Sequence, residues 1–178
     1  MTRFLPALTA CALFAQGPAA RTPFADFEDR VDAYMKIHKA AEADMGKLST
    51  TTSVQQLDAK KNSISDGILT RRSTAVQGDI FTPAIAAEFR KIIAQNLQRR
   101  SNRIHASIRS GEKVIAKVHV NGPYPEGVPL ETMPPTLLLS FPKLPQELDY
   151  RFVGSTLILR DVSANLIIDM MPNAIAAN

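Results

Sequence analysis

One cysteine, three histidines and no tryptophan occur in 178 residues, and these scarcities remove several chemistries before any motif is considered. The cysteine is Cys11, so an internal disulfide and a cysteine-built metal cluster are both excluded. No segment after residue 20 is long and apolar enough to span a bilayer, which takes about 20 mainly apolar residues. Absent as well are His-Glu-x-x-His, Gly-x-Ser-x-Gly, a phosphate-binding glycine loop and a dinucleotide fingerprint. The chain reads more as a binding protein than as an enzyme, with no catalytic residue and no cofactor assigned.

What is present begins at the amino end. Met1-Thr2-Arg3 leads into a run without ionic side chains from Phe4 to Ala20, with Leu5, Leu8, Leu13 and Phe14 at its apolar centre. That is the layout of a secretory signal. Gly17-Pro18-Ala19 supplies small residues for cleavage near Ala19 or Ala20, and Pro6, Gln16, Gly17 and Pro18 argue against a membrane-spanning helix. Leu8-Thr9-Ala10-Cys11 also has the order of a lipobox, so a lipid anchor at Cys11 is the alternative to an exported periplasmic or secreted chain. Residues 1–20 are therefore expected to be a signal peptide, and residues 21–178 one α+β domain of ordinary size.

The formal net charge of +4 is unevenly spread. Asp26, Glu28, Asp29, Asp32, Glu42 and Asp44 gather early, whereas Arg90, Lys91, Arg99, Arg100, Arg103, Arg109, Lys113 and Lys117 follow later. Export removes nucleic acid as a partner for the basic stretch and favours an envelope protein or an anionic envelope surface. Two solvated helix faces, or an acidic helix beside a basic one, account for the same pattern without function.

Thr22-Pro23 is a helix start, since Thr caps free N–H groups and Pro at the first position forfeits no hydrogen bond. Phe24, Phe27, Val31, Tyr34, His38, Ala41, Met45 and Leu48 then fall on one stripe of a helix of about 25 residues. Ser53 with Gln56 has the form of a capping box. A second helix through Val54, Leu57, Ile64 and Ile68 follows, weakened by Lys61 on the stripe and by Gly67, and an antiparallel hairpin with the first is expected. Thr82-Pro83 opens a third, amphipathic helix through Ile85, Phe89, Ile92, Ile93 and Leu97, which continues or restarts near Ser101 and ends at Ser110-Gly111.

The periodicity then changes. Val114, Ala116, Val118 and Val120 alternate with Ile115, Lys117, His119 and Asn121, which predicts a strand. Pro123 to Pro145 is rich in proline and still apolar, so an ordered strap with a short helix at Pro134 to Ser140 is expected over the core. A meander closes the fold: Asp149 to Val153, a Gly154-Ser155 turn, Thr156 to Arg160, a loop from Asp161 to Asn165, then Leu166 to Met170. The expected architecture is α+β: a helical hairpin and third long helix, about residues 22–110, packed on a mainly antiparallel meander of three to four strands, about residues 113–172.

Candidates for chemistry are few. His38, His105 and His119 lie in three different elements, so a metal site needs the fold to assemble them. His38 sits on the core stripe, where a packed histidine is the ordinary reading, and His119 lies beside Lys117, whose charge opposes a metal. Acidic side chains on the first turns of the first helix suit its dipole without a catalytic role. Asn121-Gly122-Pro123-Tyr124-Pro125 presents an aromatic between prolines, either as a recognition residue or folded onto the sheet as a cap. Arg99, Arg100 and Arg103 are candidates to meet an anionic headgroup.

Tyr150-Arg151-Phe152-Val153-Gly154, Leu157-Ile158-Leu159 and Leu166-Ile167-Ile168-Asp169 resemble the closing module of small exported bacterial proteins, among them periplasmic nickel/cobalt-homeostasis proteins. The resemblance is confined to the meander, and the histidine or tryptophan richness of parts of those families is missing. The order of elements along the whole chain is similar to that of uncharacterised exported bacterial proteins, and no catalytic residue carries over. The function expected is contact with a protein or an envelope surface, with metal binding or stress sensing, and a hydrolase site assembled across the fold, as alternatives.

Overall fold

The computed structural model describes residues 22–44, 54–98, 117–125 and 133–175. Within them the order is α1 (Pro23–Asp44), α2 (Val54–Arg71), α3 (Pro83–Gln98), α4 (Pro135–Leu138), β1 (Leu148–Val153), β2 (Thr156–Asp161) and β3 (Leu166–Met171). The three strands form an antiparallel sheet in the order β1-β2-β3. This is the expected α+β architecture. The signal segment, His105, Arg99, Arg100, Arg103 and the passage of the third helix through Ser101 lie outside the described residues.

Both Thr-Pro starts act as caps. Ala25 N–H donates to Thr22 Oγ1 at 3.3 Å and Ile85 N–H to Thr82 Oγ1 at 3.5 Å. α1 and α2 run in opposite directions, with Ala41 against Gly67 and Tyr34 against Arg72. A Cβ at Gly67 would stand 2.9 Å from that of Ala41. The glycine that weakens α2 as a helix is what lets the two backbones approach. Only the second half of α2 is packed: Ile64 and Ile68 are buried, whereas Leu57 is 44% exposed.

Residues 117–121 correct one expectation. They are not strand: His119 to Gly122 turns, closed by Gly122 N–H donating to the His119 carbonyl at 3.1 Å, with Asn121 at φ 63°. Asparagine tolerates that left-handed conformation and Pro123 brings no N–H to a ladder. The segment instead caps the outer edge of β3, through Asn121 N–H to the Ile167 carbonyl and Ile167 N–H to the Gly122 carbonyl, both 2.8 Å. Residues 113–116 are outside the described set.

The sheet separates two apolar clusters. On its helical side Leu148, Tyr150, Phe152, Leu157, Leu159, Leu166 and Ile168 join α1, α2, α3 and the strap in one core. At its centre Phe27, Phe81, Phe89, Phe141 and Tyr150 meet with ring centroids 4.7 to 6.3 Å apart, tilted or edge-on for the most part. On the other side Tyr124, Val153, Ile158 and Ile167 form a smaller cluster. A register shift between Leu159 and Arg160 breaks the β2–β3 ladder, with Leu159 opposite Asp169 and Arg160 opposite Ile167. Ile168 and Asp169 consequently both face the helices, against strict alternation.

Candidate functional site

Among the described residues two places stand out, and they differ in access. The first is inside. Asp161, at the end of β2, is fully buried and accepts hydrogen bonds from Tyr34 Oη at 2.6 Å and His38 Nδ1 at 2.5 Å, both from α1, and from Ala164 N–H at 2.9 Å. Burial raises the proton affinity of the Asp161 carboxyl, but the hydrogen bonds from His38, Tyr34 and Ala164 outweigh it and hold its pKa below the ordinary value. For His38 the hydrogen bond to Asp161 dominates and lifts the imidazole above its usual 6.5, against burial. Burial, then the Asp161 charge, push the Tyr34 phenol far above its ordinary range, so it remains an O–H donor. His38 Nε2 is buried without a hydrogen-bond partner, with Glu42 Oε2 3.8 Å away.

A second buried acid continues this seam. Asp169 takes N–H donors from Gly78 at 2.9 Å and from Ile80, Phe81 and Met170 at 2.7 Å, fixing the connection between α2 and α3 on β3. Arg72 spans the two acids: it lies 5.2 Å over the Tyr34 ring and donates to the Ile168 carbonyl at 2.8 Å and to Asn121 Oδ1 at 3.0 Å. Every member serves to dock helices on the sheet. His38 and Asp161 have no exposed surface through which a substrate would reach them.

The second place is outside. A cleft of about 310 Å³ separates the strap residues Met133, Leu138, Pro142, Lys143 and Leu144 from Leu148, Asp149, Tyr150 and Arg151 of β1. Tyr150 Oη donates to the Pro142 carbonyl at 3.1 Å and ties the strap to the strand. At the cleft, Leu138 is 45% exposed, and its neighbour Leu139 is 86% exposed. Among the described residues β1 is an edge strand, so the cleft runs beside backbone as well as side chains.

The two described histidines do not converge. His38 is in the core and His119 is exposed over Gly122, and among the described residues no group of three or more His, Cys, Asp or Glu could hold a metal. Tyr124 is buried to 6% exposure and packs on Val153, Ile158 and Ile167, with the Arg160 guanidinium 5.1 Å from its ring. Its ring is folded against the sheet. Arg90 is exposed and bonds to the carbonyls of Pro172 and Asn173, and Lys91 lies 3.7 Å from Glu88. Sequence reasoning missed Asp161, Asp169 and Arg72. The available signal was an acid inside or ending each apolar strand run, together with a histidine on a core stripe that needs a partner.

No protein-family model, no curated protein and no solved structure matches the chain.

Proposed function

We propose that this is an exported, non-catalytic protein that works by contact with another protein, and that the contact surface is the cleft along β1. The observation that carries the reading is the edge of β1, uncovered among the described residues and lined at the cleft by the exposed Leu138, whose chain neighbour Leu139 is exposed as well. Exposed strand edges pair readily with other chains, and apolar side chains left in water beside one add burial to any such pairing. The buried polar seam supports the same reading from the other side, because its acids and its histidine are consumed in holding the fold.

A photo-crosslinking residue at position 139, compared with one at the exposed Lys36 on α1, tests the surface in the envelope fraction of the producing cell. An adduct with one protein species from position 139 and none from position 36 supports the reading. Equal labelling from both positions, or no specific adduct, overturns it.

A further inference from the structure

The two edges of the sheet are treated differently. β3 is capped by residues 121–124, through the bonds to Ile167 and through Tyr124 N–H to the Asn165 carbonyl at 3.1 Å. β1 has no such cover among the described residues. Its pattern of free groups follows from the ladder. Val162 N–H donates to the Glu147 carbonyl at 2.8 Å, and hydrogen-bonded pairs recur at every second residue of an antiparallel ladder. Glu147, Asp149, Arg151 and Val153 therefore turn their backbone groups to β2. Leu148, Tyr150 and Phe152 turn theirs away from it. Leu148 N–H is taken by the Pro145 carbonyl at 3.1 Å. No described backbone group outside the sheet meets the N–H of Tyr150 or Phe152.

We propose that a second copy of this chain occupies this edge, the two β1 strands pairing antiparallel about a two-fold axis at Tyr150 to make one six-stranded sheet. The proposal rests on the contact reading above and names the partner of that same cleft. What selects a second copy is the charge order of the strand. Asp149, Tyr150 and Arg151 read as their own complement when reversed. With Tyr150 opposite Tyr150, Asp149 of each copy faces Arg151 of the other, and Leu148 faces Phe152.

The Asp149–Arg151 positions are then non-hydrogen-bonded pairs, in which side chains stand closest. Within one copy Arg151 Nε already lies 2.9 Å from Asp149 Oδ2, and Arg160 Nε lies 3.4 Å from Asp149 Oδ1. The same side chains extend that network across the axis. Tyr150 N–H and C=O of each copy bond those of the other, and each Phe152 N–H meets a Leu148 carbonyl. An isologous contact of this kind closes on itself as a dimer and does not propagate.

Sedimentation of the purified chain under reducing conditions, combined with amide hydrogen exchange at two concentrations, tests this. A dimer is expected, with concentration-dependent protection at Tyr150 and Phe152 N–H. Arg151→Glu places acid opposite acid at two symmetric positions and weakens dimerisation about tenfold or more. Arg151→Lys keeps the sign and retains the dimer. A retained cooperative melt separates loss of pairing from loss of fold, and Asp149→Lys, which sets like charges opposite each other by the same geometry, serves as a second variant should Arg151→Glu fail to fold. A dimer indifferent to Arg151→Glu, or one without protection at those two amides, overturns the proposed edge. A monomer that still gives the specific position-139 adduct overturns the second copy and leaves the contact reading standing. A monomer without that adduct removes both.

Discussion

Asp161 joins three groups that are costly to bury separately: a carboxylate, an imidazole and a phenol. The pKa shifts assign the seam a pH window. His38 is raised in the folded state, so its contribution is complete below about 6.5 and is lost as pH rises through the folded value. Asp161 is lowered, so its contribution is complete above about 3.8 and is lost as pH falls through the folded value. Urea unfolding across pH is therefore expected to show greatest stability from this pair between those values, with a decline on the alkaline side. Asp161→Asn abolishes the alkaline decline and costs about 3 kcal/mol in the window, since it leaves His38 without its counter-charge. An unaltered pH profile in that variant would show that the decline belongs to other groups.

At the scale of elements, the capping and turn chemistry was legible and the close approaches were not. Thr22-Pro23, Thr82-Pro83 and Gly154-Ser155 mark their elements where the structure begins or turns them. Gly67 reads as a defect in a helix of 18 residues, because nothing in one strand of sequence reveals that Ala41 will lie against it. Gly67→Ala makes the contest explicit. The alanine gains about 1 kcal/mol of helix propensity, but a Cβ 2.9 Å from another is an overlap between two backbones that cannot both stay in place. The loss is expected to win by about 1 kcal/mol, measured as a lower midpoint in urea at unchanged slope. Asp169 escaped for a related reason. Strict alternation from Leu166 turns it outward, and only the register shift beside Leu159 brings it to the N–H groups of Gly78, Ile80 and Phe81.

For the whole molecule, the α+β class and the order of elements follow from periodicity, because helix and strand faces must each bury one side. The seam of Tyr34, His38, Arg72, Asp161 and Asp169 was not legible, since its bonds join positions as much as 127 apart in the chain. Neither was the cleft, which depends on how far the strap stands from β1. The proposed export belongs to this scale as well, and mass spectrometry of the amino terminus in the envelope fraction checks it. A start at Ala20 or Arg21 agrees with signal cleavage, and a lipidated Cys11 agrees with anchoring. An intact Met1 on the functional protein overturns export.

The polar seam also sets an order of events. α1 and the segment after α2 emerge first from a chain made in the amino-to-carboxyl direction, carrying a tyrosine, a histidine and an arginine whose partners have yet to be made. Asp161 and Asp169 arrive only with the last two strands. A helical layer collapsing early would have to desolvate those groups with nothing to receive them, which disfavours premature compaction. Closure is then expected to wait on the final hairpin, the long-range contacts adding loop-closure entropy to that step. The helical layer is therefore expected to compact together with the last strands rather than ahead of them.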